Sequence, residues 1–414
     1  MNRKSLRIGL FGFGCVGQGL HQVLEKTPGL KAEIVKICVK DKSKARTLPD
    51  SYFTFDKGDI LNDPTLDVVV ELIDDAEAAF SIACEALSKG KAVVSANKKM
   101  LATHLTEILS LQDKFELPVL YEAACCASMP IIRNLEEYYD TDLLQSITGI
   151  VNGSTNFILT KATRQRLTFD RALALAQAAG YAESDPSLDV EGHDARYKLT
   201  LLLLHGFGIV TQPEELLAVG IDRIGELEFQ YAREKNCKIK LVAQAVKTGA
   251  DKVAAWVAPA FVPEDHKLFQ VDDVFNGVIT KTAFADEQFF VGKGAGSHPT
   301  ASAVLSDLSA LTYDYRYEYK KLHQQKLSLS RNATAEIFVR YRDGTGIDPR
   351  DFSEITQTFR SRGQHYLVGK IHFERLWSAG WLTHPEVSIL FNPPSRLRSE
   401  PLFEEEEALL EVQR

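Results

Sequence analysis

The 414-residue sequence predicts an α/β protein: an N-terminal doubly wound parallel sheet, a second α+β domain, and a small C-terminal α+β appendage. Three observations carry this expectation. Over residues 1–130 short apolar runs alternate with amphipathic stretches, the pattern of strands buried on both faces between helices. A glycine-rich turn follows the first of those runs at once. Beyond residue 130 the alternation gives way to longer and less regular strand-like and helical segments, and the length itself calls for two or three domains.

The elements follow in order. The run LRIGLF (6–11) is the first strand, and Leu20, Val23 and Leu24 share one face of the helix after it. AEIVKICVK and LDVVVELI (66–73) are the second and third strands. EAAFSIACEALSKG is a helix closed by Gly90, AVVSA (92–96) is a fourth strand, and a helix over 103–115 leads into PVLYEAA. In the second domain, 131–322, LQSITGIVNG and VAAWVAPAFV read as strands. Helices fall at 169–179, 194–204, 221–233 and 299–311, with 292–320 packing back on the first domain. Residues 323–333 are a polar linker. The segment 335–392 reads as strand, helix (PRDFSEITQTFRS, 349–361), strand and strand, and the acidic end EEEEALLEVQR as loose or a short exposed helix.

Composition narrows the function. Hydrophobic residues make up 45% and charged residues 25%, a globular mix with a full core. A formal charge of -8 leaves no dominant basic patch, which argues against nucleic acid or an anionic membrane as partner. The sequence shows no secretory signal and no 18-residue apolar run, so a soluble cytoplasmic protein is expected. The six cysteines form no CxxC pair, and vicinal Cys125-Cys126 is poor geometry for zinc or a disulfide, so reduced thiols fit best.

Gly12-x-Gly14-x-x-Gly17, between a strand and a helix, is a dinucleotide fingerprint in its proper setting and makes the first domain Rossmann-type. Its glycines allow a tight turn and close approach of the backbone to a pyrophosphate at the helix N-terminus. The second strand ends in Lys40-Asp41-Lys42-Ser43-Lys44. A carboxylate there suits the 2′-hydroxyl of NAD, whereas cations suit the 2′-phosphate of NADP. Three lysines to one aspartate favour NADP and leave NAD open. A solvated loop accounts for the same lysines.

The stretch GYAESDPSLDVEGHDARYK (180–198) crowds Glu183, Asp185, Asp189, Glu191 and Asp194 ahead of Lys198. Asp194 and Lys198 are four apart and share a helix face, which on its own is an ordinary surface ion pair.

Several separated motifs together resemble the homoserine dehydrogenase family over about residues 6–320. They are GFGCVG, VVELI followed by SANKK, YEAACCASMPII, GIVNGSTNFIL, GYAESDPSLDVEGHDARYKL and GKGAGSHPTASAVLSDL. The resemblance implies interconversion of L-aspartate 4-semialdehyde and L-homoserine with a nicotinamide coenzyme, on the route to threonine, methionine and isoleucine. It implies Glu183, Asp189 and Asp194 as partners of the substrate's α-ammonium group. Lys198 becomes the proton donor and oxygen stabiliser, and Lys98, with Lys99 as its neighbour and rival, the second catalytic lysine. Coenzyme contact is implied for Gly12, Gly14, Cys15, Val16, Gly17, Lys40, Ser95, Lys98, Gly180 and Gly294. A monovalent cation, sodium first, is implied at Glu122 with the carbonyls of Cys125, Ala127 and Met129, and a homodimer through the second domain's sheet.

Two departures stand out. Asp74-Asp75 replaces the usual Gly-Gly after the third strand, and Cys126 and Ser128 occupy places where glycines are common. Segment 335–392 vaguely resembles a truncated amino-acid-sensing module of the ACT type, against a dimer-stabilising or purely structural appendage. Two other readings stay open: a reductase of the same architecture for another small aldehyde, and a nucleotide-sensing protein without catalysis. A semialdehyde dehydrogenase with a nucleophilic cysteine finds no cysteine in a suitable context.

Overall fold

The computed structural model describes residues 5–139, 143–324 and 326–392. Its first sheet has six parallel strands: β1 (Leu6–Phe11), β2 (Ala32–Cys38), β3 (Phe53–Thr54), β4 (Val68–Glu71), β5 (Ala92–Ser95) and β6 (Val119–Leu120). They lie in the order β3-β2-β1-β4-β5-β6. Ile8, Leu10, Val68, Val69, Val70, Val93 and Val94 are fully buried, as strands covered by helices on both faces require. The order reverses between β1 and β4, so a ligand crevice is expected at the carboxyl ends of those strands.

The second sheet contains β7 (Leu144–Ile150), β8 (Leu217–Ala218), β9 (Cys237–Lys247), β10 (Lys252–Pro263), β11 (Phe275–Thr282), β12 (Glu287–Lys293), β13 (Ser328–Leu329), β14 (Thr334–Tyr341), β15 (Phe352–Arg360), β16 (His365–His372) and β17 (Ser388–Phe391). Its main path runs β12-β11-β7-β9-β10-β17-β14-β16-β15, and β8 and β13 pair with β10 beside it. The strands of the C-terminal segment thus continue this sheet through the β10–β17 contact at Ala260 and Phe391. Phe391 is buried in an aromatic group, its ring 5.8 Å from Trp256 and 5.9 Å from Phe373.

Most expected elements are present, with shifted ends. The 221–233 helix begins only at Glu226, and the 103–115 helix runs Leu105–Phe115, after a separate short helix, Lys98–Thr103. The strand read as LQSITGIVNG stops at Ile150 and gives way to a helix, Gly153–Gln165. One expectation is overturned: residues 349–361 are not a helix but a short turn followed by strand β15. The pairing of β15 with β16 slips twice, at Phe352/Glu354 and Ile355/Gln357. Each slip adds a residue and breaks the period-2 alternation. The strand–helix–strand–strand order behind the likeness to a sensing module is therefore absent. The acidic C-terminal end lies outside the described residues.

The last long helix, Ser297–Leu311, returns to the first domain. Gly19 lets it lie against the helix Cys15–Glu25, since a side chain there would meet Ser297. Ser297 Oγ donates to the Cys15 carbonyl at 2.7 Å.

A buried hydrogen-bond chain ties the carboxyl ends of β4 and β5 together. Ser95 Oγ donates to Glu71 at 2.6 Å, and Glu71 also accepts the Ile73 amide at 2.7 Å. Ser95 Oγ accepts the Asn97 amide, and Asn97 Nδ2 donates to the Ile73 carbonyl at 3.0 Å. Burial pushes the Glu71 carboxyl up to about 7, from an ordinary 4.5, and the two hydrogen bonds only partly oppose it.

Phe391→Ala is expected to lower stability by roughly 3–5 kcal/mol, read from denaturant unfolding, because it empties the aromatic group that joins the tail to the sheet. The raised Glu71 carboxyl also sets a sign. Its neutral form stabilises the fold in acid, and that contribution is lost as pH rises from about 4.5 through about 7. Across that window the wild type should lose stability relative to Glu71→Gln, by at most about 1.4 kcal/mol per pH unit, and level off above it. A pH-independent difference between the two would contradict the assignment.

Candidate active site

A cleft of ≈ 660 Å³ opens at the carboxyl ends of β1, β2 and β4. Gly12, Gly14 and Lys40 line it, with Asp41, Lys44, Arg46, Phe55, Asp74 and Asp75. Gly12 has φ +93°, and a side chain at Gly17 would meet the Gly12 carbonyl at 2.5 Å, so both glycines serve the tight turn. Gly14 has open space around it, where a pyrophosphate can approach the helix N-terminus. Cys15, Val16 and Gly17 form the first turn of that helix.

The ribose end of the cleft is cationic. Asp41, the one acid in the lysine run, is turned onto its own loop: it accepts Ser43 N at 2.8 Å and Ser43 Oγ at 2.7 Å. Arg46 lies over the rings of Phe53 and Phe55, at 5.0 and 5.6 Å, and Lys42 over Phe55 at 5.2 Å. The sequence reading passed over Arg46, although it continues the basic run by two residues. Asp75 caps the helix Ala76–Ser88 by accepting Ala78 N at 3.0 Å, and it lies 3.6 Å from Lys40 Nζ.

The second cluster gathers where the helix His193–Phe207 meets the helix Lys98–Thr103. Asp194 and Lys198 are both buried, one turn apart on the first of these helices. Lys198 Nζ donates to Asp194 Oδ2 at 2.8 Å and to the Val151 carbonyl at 2.7 Å. Lys98 Nζ lies 3.0 Å from Asp194 Oδ1. Asn97 places Lys98 by capping its helix, accepting Met100 N at 2.9 Å, whereas Lys99 is exposed. Asn152 Nδ2 donates to Asp194 Oδ2 at 2.8 Å and to Asp189 Oδ1 at 2.7 Å.

Charge balance here is decided by partners. Burial alone would raise the Asp194 carboxyl, but Lys198 and Lys98 outweigh it and hold it well below the carboxylate range. Burial likewise opposes the Lys198 charge, and the Asp194 carboxylate overcomes it and raises the ammonium's pKa. Lys198 is therefore charged across the neutral range. Asp189 moves the other way, raised first by burial and then by the Asp194 charge.

Not every expected residue joins these clusters. Glu183 is exposed, and its carbonyl accepts Gln177 Nε2 at 2.9 Å. Ser95 is fully buried, its hydroxyl committed to Glu71, so it supports the strand ends rather than lining the cleft. Gly180 is an exposed, left-handed residue after the helix Phe169–Ala178. Gly294 packs on the Asn276 amide, with which any side chain would collide.

The loop 122–129 is buried beside the second cluster. Glu122 accepts the Ile132 and Arg133 amides, both at 2.9 Å, and its own amide donates to Asp307 at 3.0 Å. Burial, then the Asp307 charge, pushes Glu122 up to about 7. Cys126 and Ala127 take positive φ, +59° and +40°. Cys125 and Cys126 are free thiols with their sulfurs 3.8 Å apart. Among the described residues no group of three or more His, Cys, Asp or Glu side chains could hold a metal, and no helix is long and apolar enough to cross a membrane.

Comparison with known proteins completes the picture. Residues 130–309 match the family description "Homoserine dehydrogenase", and residues 12–122 match "Homoserine dehydrogenase, NAD binding domain". The chain is 32% identical to the homoserine dehydrogenase of Bacillus subtilis (strain 168), over 93% of this chain and 90% of that one. It is 38% identical to that of Synechocystis, over 73% and 72%. A solved homoserine dehydrogenase from Thiobacillus denitrificans superposes with TM-score 0.82 at 29% identity, covering 94% of this chain and 98% of that one. A hyperthermophilic archaeal homoserine dehydrogenase in complex with NADPH superposes with TM-score 0.65 at 27% identity, covering 75% and 99%. With the nucleotide fold and matches across both domains in agreement, the chain belongs to the homoserine dehydrogenase family of oxidoreductases.

Proposed function

We propose that the enzyme reduces L-aspartate 4-semialdehyde to L-homoserine, reversibly and with NADP in preference to NAD, in the biosynthesis of threonine, methionine and isoleucine. The observation that carries this reading is the Lys198 ammonium, buried and held by two acceptors, Asp194 and the Val151 carbonyl. An ammonium has three N–H bonds. With two engaged, the third is left for an acceptor supplied by the substrate.

The glycine turn and the helix starting at Cys15 would hold a reduced nicotinamide coenzyme in the cleft, whose chemistry would be hydride donation to the aldehyde carbon. As negative charge grows on the aldehyde oxygen, Lys198 donates a hydrogen bond and then a proton to it, with Asp194 holding the ammonium charged until the transfer. Lys98, on the other oxygen of Asp194, adds a second positive charge and supports proton transfer. Asp194 is thereby occupied by two lysines and an amide. The substrate's α-ammonium falls instead to Asp189, with Glu183 from the adjoining exposed stretch.

Gly12, Gly14 and the helix starting at Cys15 hold the pyrophosphate. Lys40, Lys44 and Arg46 favour a 2′-phosphate, since these three cations outnumber the one acid on their loop, Asp41, which is engaged by Ser43. The NADPH complex of the archaeal relative agrees with this choice. For a monovalent cation, sodium first, the proposed donors are Glu122 and the carbonyls of Cys125, Ala127 and Met129, all oxygens, the kind of donor hard cations take. The carboxylate already accepts two amides and keeps lone pairs to spare. Such an ion holds the loop in shape and takes no part in proton transfer. A homodimer through the second sheet is supported by its edge strand β12, which leaves Phe289 and Val291 exposed.

The test follows nicotinamide absorbance with homoserine as substrate. Lys198→Ala should lower kcat by at least about 100-fold with coenzyme affinity nearly intact, and Glu183→Ala should act mainly on KM. Wild-type behaviour in both variants would overturn the residue roles, and no turnover of homoserine by the native protein would overturn the reaction. Arg46→Ala should raise KM for NADP about tenfold or more and leave NAD kinetics unchanged. Equal losses with both coenzymes would remove the case for a 2′-phosphate site.

A further inference from the structure

Asn152 sits at the junction of β7 and the helix Gly153–Gln165, in a motif from which the sequence reading drew no role for it. It is buried, and its side chain is saturated. Asn152 Oδ1 accepts Thr155 N at 2.8 Å and Thr155 Oγ at 3.0 Å, so it caps the helix. That cap fixes which end of the amide carries hydrogens. The two Nδ2 hydrogens must then point away from the cap, where one meets Asp189 Oδ1 at 2.7 Å and the other Asp194 Oδ2 at 2.8 Å.

Its position in the charge pattern is unusual. Asp189 and Asp194 repel one another, and one neutral amide separates them by giving each a donor. The Val151 carbonyl, one residue before, accepts the second N–H of Lys198. One dipeptide thus fixes both the lysine and the carboxylate that orients it. Asp194 Oδ2 is shared between Lys198 and Asn152, and Oδ1 is left to Lys98. If the amide donor were lost, the Asp194 carboxylate could turn toward either lysine, and the third N–H of Lys198 would lose its aim.

We propose that Asn152 is a positioning residue: by donating to Asp189 and Asp194 at once, it keeps the two carboxylates in separate roles, Asp194 orienting the lysines and Asp189 receiving the substrate's ammonium. This rests on the reaction and residue roles proposed above. A purely structural cap would need only the side-chain oxygen. Serine supplies that oxygen and lacks the paired donors, so Asn152→Ser separates the two roles.

The experiment compares wild type, Asn152→Ser, Asn152→Ala and Lys198→Ala in homoserine oxidation with NADP, alongside thermal melting and coenzyme binding. Asn152→Ser should melt near wild type and bind NADP normally, yet show kcat lowered by about 10- to 100-fold together with a raised KM for homoserine. Asn152→Ala should show the same kinetic loss plus a lower melting temperature from the lost cap. If Asn152→Ser keeps wild-type kcat and KM while Lys198→Ala is inactive, the positioning role is overturned and the reaction stands. If Asn152→Ser and Lys198→Ala are both fully active, the lysine assignment fails and the positioning role fails with it.

Discussion

A carboxylate and an ammonium buried together, one helical turn apart, are the constraint around which the second half of the site is arranged. Either charge alone would be costly to remove from water, and an ion pair repays that cost only when its remaining donors and acceptors are met. Asp194 and Lys198 satisfy the condition through Lys98 and the dipeptide Val151-Asn152, which come from two other segments of the chain. The pair therefore forms fully only when the helix of the first domain that carries Lys98 is docked against the helix His193–Phe207 of the second. Docking of the two domains thus adds the last member of the cluster, Lys98.

That docking is enforced elsewhere by groups with no part in the proposed chemistry. The helix Ser297–Leu311 crosses back to the nucleotide domain, where Gly19 admits it. Asp307 on that helix accepts the Glu122 amide and the Arg133 guanidinium, at 3.0 and 2.8 Å. On the other side, His205, two turns beyond Lys198 on the same helix, joins Glu136 at 2.8 Å and the Tyr121 hydroxyl at 2.9 Å. Tyr121 directly follows β6, the last strand of the first sheet. The helix His193–Phe207 is thus tied to the nucleotide domain at both of its ends by polar contacts, which demand defined partners as apolar packing does not.

How much of this was legible in the sequence depends on whether the signal was local. The first sheet was, because each parallel strand is a short apolar run and the glycine turn has its own pattern. Asp194 and Lys198 were suggested by their spacing, but their burial was not, since crowded acids read equally well as a solvated loop. The family resemblance, rather than periodicity, singled out Lys98, and only its contact with Asp194 separates it from exposed Lys99. Asn152 carried no signal of its own, because its two acceptors lie 37 and 42 residues away in the chain. Glu71 did carry one: an acid inside VVVELI has to be buried and paired. Strand β15 was not legible because two bulges break the period-2 alternation that marks a strand.

The aspartates at 74 and 75 show how a departure from family pattern is absorbed. Glycines there would leave room for a coenzyme, whereas two carboxylates facing a pyrophosphate would repel it. The structure gives Asp75 other work. Its carboxylate accepts Ala78 N, and this hydrogen bond, more than the nearby Lys40, holds its pKa below the usual carboxylate range. A negative charge at a helix N-terminus is favourable in itself. Lys40, 3.6 Å away, offsets it further from the side where the coenzyme's ribose is expected. The same lysine then has two anionic claims on it, the Asp75 carboxylate and a 2′-phosphate. Arg46, stacked over Phe53 and Phe55 and donating to the Lys44 and Asp41 carbonyls, is the further cation on this loop that the proposed phosphate site can use. Under the NADP preference proposed above, the choice of coenzyme rests less on Lys40 at the strand end than on Arg46, six residues farther along the loop.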